Sequence, residues 1–253
     1  MLTLLEHFLT FKPNTTNHGA LDLIKHQRLR IGASFGFDLD AAWLPCSSDA
    51  AVLFLHGNRH NITRFYDHYA LFQRLGISCL TFDYPGYGTS AGSPSETALY
   101  GSARAAFSHI VNDFGFKPHQ IAIYGCSLGG AVAIELAKEA SAGCLIAEST
   151  FTNSHDIARF LYPYLPVTRF LKRRFANDAL VGKIRIPKLL IHGSEDPRVP
   201  VYMAETLHEK SADPKNLIII PEADHVNCVQ KGGPLLHSQI GDFIRKHCTS
   251  SHF

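Results

Sequence analysis

A chain of 253 residues, 45% hydrophobic and 18% charged, has the composition of an α/β protein with a sizeable core, and 1–253 is read as a single soluble domain. A formal charge of +2, with 15 histidines, supplies no electrostatic footprint for a nucleic-acid backbone, so nucleic acid is excluded as an expected partner. Six cysteines, Cys46, Cys79, Cys126, Cys144, Cys228 and Cys248, stand singly with no C-x-x-C pair. That spacing argues against a disulfide framework or a zinc site and favours a reducing, cytoplasmic setting.

In chain order, segment 2–11 is apolar but broken by Glu6 and His7. It is too short to span a bilayer and lacks a basic leader, so no stable membrane insertion is expected. Segments 26–31 and 35–44 predict an antiparallel lead-in hairpin. Apolar runs of strand length then recur at 51–56, 77–83, 120–124, 144–148, 188–192 and 216–220. Between them, 66–75, 96–114, 128–139, 202–210 and 235–246 carry apolar residues at helical spacing. This alternation predicts an α/β fold: a mostly parallel sheet of about eight strands with helices on both faces.

The stretch 150–183 breaks the rhythm. It mixes Phe151, Phe160, Leu161, Tyr162, Tyr164, Phe170 and Leu171 with Arg169, Lys172, Arg173 and Arg174. It reads as a small helical cap over one end of the sheet, or as a peripheral helix pair with a solvated basic face. Sequons at Asn14 and Asn61 are taken as chance matches, the second because a glycan there would obstruct the neighbouring turn.

The chemistry concentrates at Gly125-Cys126-Ser127-Leu128-Gly129-Gly130, a G-x-S-x-G between a predicted strand and a predicted helix. A serine in such a strand-to-helix turn projects its hydroxyl out of the sheet, and the glycines let the chain make the turn, so Ser127 is the expected nucleophile. The Leu128 amide, at the helix start, is placed for an oxyanion. Cys126 occupies the position before the serine and is read as a buried small residue. A nucleophilic serine needs a base, and the base needs an orienting acid. Loops after the strands at 188–192 and 216–220 supply Asp196 and His225, in the order serine, acid, histidine. Glu195 is read as a solvated charge, and Glu148 as a displaced-acid alternative. The loop His56-Gly57-Asn58-Arg59 brings the Asn58 amide as second oxyanion donor, with His56 structural and no metal spacing to His60. Gly86-Tyr87-Gly88-Thr89-Ser90-Ala91 loosely matches a dinucleotide fingerprint, but the Gly92-Ser93-Pro94 that follows leaves no helix start for a pyrophosphate.

Together, His56-Gly57-Asn58, Asp83-Tyr84-Pro85-Gly86-Tyr87-Gly88-Thr89-Ser90, the serine turn, His192-Gly193 with Asp196, and Asp224-His225 resemble the α/β-hydrolase superfamily over nearly the whole chain. The first two are similar to its Bem46-like branch, some of whose eukaryotic relatives remove palmitoyl groups from proteins. That branch often continues H-G-N with Ala-Gly-Asn, where this chain has Arg59-His60-Asn61. The resemblance implies an α/β-hydrolase fold and a cofactor-free serine hydrolase acting on a small-molecule or acylated substrate. An ester or thioester with an apolar acyl group is expected, contacted by Phe151, Tyr162 and Arg59. An amidase or peptidase with the same residues, or a non-catalytic binding protein on the same scaffold, are the alternatives.

Overall fold

The computed structural model describes residues 10–33, 36–164 and 172–248. Residues 2–9 of the first apolar segment, and Arg169, Phe170 and Leu171 of the expected cap, lie outside these.

The strands are short apolar runs because both of their faces are covered. In Ala51–Leu55 all five residues are buried; Val52 and Phe54 join the core on one face, Leu53 and Leu55 the core on the other. Continuous rather than alternating apolarity is what an interior parallel strand requires. The elements run β1 (Gln27–Gly32), β2 (Asp38–Leu44), β3 (Ala51–Leu55), α1 (Tyr66–Arg74), β4 (Ser78–Phe82), α2 (Glu96–Asn112), β5 (Ile121–Cys126), α3 (Leu128–Glu139) and β6 (Cys144–Glu148). They continue through α4 (Ser154–Leu161), α5 (Asn177–Leu180), β7 (Lys188–Gly193), α6 (Tyr202–Lys210), β8 (Lys215–Ile220) and α7 (Cys228–Cys248).

The eight strands form one sheet in the order β1-β2-β4-β3-β5-β6-β7-β8. The lead-in hairpin β1–β2 is antiparallel and joins β4 antiparallel; every later pair is parallel. Leu99 and Ala103 of α2, Val132 of α3 and Leu207 of α6 cover one face. Tyr69 and Phe72 of α1, with Leu236 and Ile240 of α7, cover the other. Because β3 lies between β4 and β5, the loop after β3 and the turn after β5 leave the same edge side by side. A sheet of this kind places its site there, at the carboxyl ends of its central strands.

Two details depart from or refine the sequence reading. The helical stretch Cys228–Cys248 is interrupted at Gly233, whose φ of 54° and ψ of −152° are non-helical, just before Pro234, so a short helical segment from Cys228 precedes the helix expected from residue 235. Gly233 takes a conformation other residues avoid and Pro234 contributes no N–H, so the break that the sequence reads there is present in the structure. The Asn61 side chain is buried, donating to the Asn14 and Thr16 carbonyls at 2.9 Å each; a glycan at this sequon would have to tear those bonds. Among the described residues no helix is long and apolar enough to cross a membrane.

Candidate active site

Ser127 sits between the end of β5 and the start of α3 with φ 55° and ψ −114°, a left-handed backbone that a residue with a Cβ adopts only under external constraint. The constraint is visible. A Cβ on Gly125 would lie 2.1 Å from the Gly129 carbonyl oxygen, and one on Gly129 would lie 2.0 Å from that of Leu55. The turn therefore closes only with glycine at both positions. The Ser127 N–H donates to the Glu148 carbonyl at 2.8 Å, and the Thr150 hydroxyl donates to the Ser127 carbonyl at 2.8 Å, which ties the turn to β6.

The expected base and acid converge on this serine. His225 Nε2 is 3.0 Å from Ser127 Oγ, and His225 Nδ1 is 2.7 Å from Asp196 Oδ2. The second carboxylate oxygen of Asp196 accepts from the Arg198 and Val199 amides at 2.8 and 2.9 Å. Burial alone would raise the Asp196 pKa, but hydrogen bonds from His192 and His225, the His225 charge and the Val199 amide hold it well below the usual carboxylate range. Asp196 is thus an ionised acceptor, fixed so that His225 carries its proton on Nδ1 and turns an unprotonated Nε2 toward the serine. His192, fully buried, bonds the Val199 carbonyl through Nε2 at 2.7 Å and lies 3.3 Å from Asp196 Oδ2, so it braces the loop that carries the acid, a role that its place at the end of a strand did not signal.

The β3 loop packs against the serine turn, since a Cβ on Gly57 would touch the Cys126 carbonyl and Ser127 Cβ at 3.5 Å. The N–H of Leu128, the first residue of α3, has no intrahelical acceptor, and Leu128 and Asn58 both line the cavity. The Asn58 side chain has a second task that sequence reasoning missed. Its Oδ1 accepts from the Lys12 amide at 2.9 Å and the Tyr87 hydroxyl at 2.7 Å, and its Nδ2 donates to the Thr10 carbonyl at 2.8 Å. It thereby binds residues 10–12 into the wall. His56 turns inward, bonding the Gly57 carbonyl at 2.8 Å with Nδ1 and lying 3.4 Å from Asp83. Burial pushes that imidazole down to about 4 and the carboxyl up to about 7, so the two are not an ion pair at neutral pH.

A cavity of about 450 Å³ opens over Ser127, Leu128 and His225. Its apolar part includes Phe151, Ile157, Ala158, Leu161, Tyr162 and Phe175, with Phe151 and Phe175 in edge contact at 6.1 Å. Phe151 is buried, whereas Tyr162 stands at the rim, 37% exposed. Lys12, Arg59, Arg64 and Arg198 also line the wall, and Lys12, Arg59, His60 and Arg198 line as well an open depression that includes Asn14. Burial first, and then the charges of Arg64, His18, Arg198 and Arg59, push His60 down to about 4. Among the described residues none of Arg59, Arg64 and Arg198 pairs with a carboxylate.

Glu148 does not serve His225. Its Oε2 accepts from the Tyr124 hydroxyl at 2.6 Å and faces His68 Nε2 at 3.0 Å, and Cys126 Sγ lies 3.5 Å from the same nitrogen. Burial would raise the Glu148 pKa, but the charge and hydrogen bond of His68, the Tyr124 hydroxyl and the charge of His225 lower it.

The family model described as "Alpha/beta hydrolase family" matches residues 52–183. An uncharacterised protein of Mycobacterium tuberculosis is 34% identical over 70% of this chain and 63% of its own length. A lysophosphatidylserine lipase of Danio rerio is 34% identical over 81% of this chain and 62% of its own. The chain thus spans less than two thirds of the length of these two relatives. An esterase of Pyrococcus furiosus superposes with a TM-score of 0.80 at 20% identity, over 94% of this chain and 98% of the other, which is a likeness of fold.

Proposed function

Because this chain belongs to the alpha/beta hydrolase family, we propose that it is a serine hydrolase cleaving carboxylic esters or thioesters with an apolar acyl group. The observation that carries the reading is the unbroken line of hydrogen bonds Ser127–His225–Asp196, at 3.0 and 2.7 Å. In this mechanism Ser127 Oγ attacks the acyl carbon while His225 Nε2 takes its proton, and Asp196 steadies the imidazolium. The Asn58 and Leu128 amides receive the charge on the carbonyl oxygen. His225 then returns the proton to the departing alcohol or thiol, and water, activated by the same histidine, releases the acid from the acyl-enzyme. In this reading segment 150–183 is a cap of the single domain, offering Phe151 and Tyr162 to the acyl chain.

Labelling with a fluorophosphonate probe tests the activated serine. The wild-type chain is expected to be labelled and Ser127→Ala to remain blank; a well-folded wild type that takes no label would leave a binding protein on this scaffold.

Arg59, Arg64 and Arg198 on the cavity wall, without a carboxylate partner among the described residues, suit an acyl ester that carries an anionic group, and the similar Danio rerio protein is named a lysophosphatidylserine lipase. Arg59→Ala is expected to lower kcat/KM about 10-fold for an ester bearing a phosphate or carboxylate, the loss of one partly exposed charge contact, and to spare a neutral ester of equal length. Equal losses on both would remove Arg59 from that role.

A further inference from the structure

Beneath the serine turn lies a group of side chains that the proposed reaction does not use. His68 comes from α1, Cys126 from the end of β5 and Glu148 from the end of β6, and all three are buried. Their potential ligand atoms lie within 4.8 Å of one another, with Nε2–Oε2 at 3.0 Å and Sγ–Nε2 at 3.5 Å. Tetrahedral zinc, bound by imidazole, carboxylate and thiolate, holds its ligand atoms about 3.3–3.7 Å apart, from bond lengths of about 2.0–2.3 Å. The group is thus within a few tenths of an ångström of that spacing on two of its edges. The Tyr124 hydroxyl, 2.6 Å from the same Glu148 oxygen, is the kind of outer hydrogen bond that orients a ligating carboxylate. All three residues also reach the wall of the cavity over Ser127, which gives an ion a way in.

We propose that His68, Cys126 and Glu148 form an inhibitory site for a borderline-soft divalent cation, zinc above all. A thiolate–imidazole–carboxylate set selects such an ion over magnesium, which prefers six oxygens. On binding, the Cys126 thiol gives its proton to solvent and the sulfur bonds the metal; the proton that His68 Nε2 shares with Glu148 is exchanged for one on Nδ1, so that Nε2 and the carboxylate each bond the metal and the site gains one net positive charge. The dication then sits one residue from the nucleophile and beside the carboxylate whose charge couples to His225. His225 must itself become positive when it takes the serine proton, so the added positive charge opposes that step. Spacing along the chain cannot signal this site, because its three members come from three separate elements.

Equilibrium dialysis of the chelator-treated full chain against zinc chloride tests the proposal without relying on activity. The wild type and Ser127→Ala are expected to hold one zinc each, while His68→Gln and Cys126→Ala, shown folded by circular dichroism, bind at least about 100-fold more weakly. With cobalt in place of zinc, the wild type is expected to show thiolate-to-metal charge-transfer absorption that Cys126→Ala lacks. Zinc should slow fluorophosphonate labelling of the wild type, reversibly with EDTA, and magnesium should not. No stoichiometric zinc in the wild type, undiminished binding in both variants, or cobalt absorption that survives Cys126→Ala would each overturn the site; binding without slower labelling would overturn its inhibitory role.

Discussion

Asp196→Asn is expected to lower kcat for ester hydrolysis by about 10⁴-fold while leaving the chain folded. The direction of the amide is dictated by its neighbours. The Arg198 and Val199 N–H groups, at 2.8 and 2.9 Å from Oδ1, demand an oxygen there, which turns the NH₂ of the asparagine toward His225 Nδ1. Now a donor faces that nitrogen where an acceptor stood at 2.7 Å, so the imidazole carries its proton on Nε2 and offers Ser127 a proton instead of taking one. Burial of the site denies solvent the chance to correct the tautomer. Steady-state rates on a p-nitrophenyl ester, beside a thermal melt of the same sample, measure the effect. A loss smaller than about 10-fold in a folded variant would take the orienting role away from Asp196.

The second large effect concerns folding. In Gly129→Ala the new methyl would lie 2.0 Å from the Leu55 oxygen and 2.7 Å from that of His56. Both are backbone atoms at the end of β3, which is clamped by β4 on one side and β5 on the other. Neither a rotamer change nor a small shift relieves such an overlap, and the cost falls in the range of about 4–5 kcal/mol or more reserved for structural collisions in a core. A fall in Tm of at least about 10 °C is expected, with loss of fluorophosphonate labelling. Gly57→Ala is the comparison: its methyl meets only ordinary 3.5 Å contacts, so its melting temperature should stay within a few degrees of wild type. If Gly129→Ala melts with the wild type, the turn is looser than its contacts imply.

Much of the fold was legible because parallel interior strands leave an unambiguous trace. Runs such as Ile121-Ala122-Ile123-Tyr124 and Leu189-Leu190-Ile191 are apolar on both faces, and each is followed by a turn of small or polar residues. Ser127 was legible for the same reason, since its glycines are required by backbone contacts too close for any side chain. Asp196 and His225 could be located from the loops that follow β7 and β8, and the structure brings both to hydrogen-bonding distance of their partners.

What escaped was whatever depends on side chains meeting from distant elements. Nothing about Asn58 in sequence says that it holds Thr10 and Lys12, because the partners are backbone groups 46 and 48 residues away. His192 beside Asp196 and Phe175 against Phe151 share that character. The short helical piece that opens α7 at Cys228 was also not read, whereas the stop that Gly232-Gly233-Pro234 argues for is real, with Gly233 non-helical and Leu236 and Ile240 of the helix beyond it packed on the sheet.

Ser127 and His225 stand 98 residues apart in the chain, with Asp196 between them, 29 residues before His225. A ribosome adding about 5–20 residues per second needs about 5–20 s to pass from the first of these to the last. Throughout that interval, in which β7 and β8 are added, the growing polypeptide carries a serine with no base beside it. On the mechanism proposed above, such a nascent chain is inert toward the esters around it. The ability to cut them arrives all at once, with the loop that carries His225.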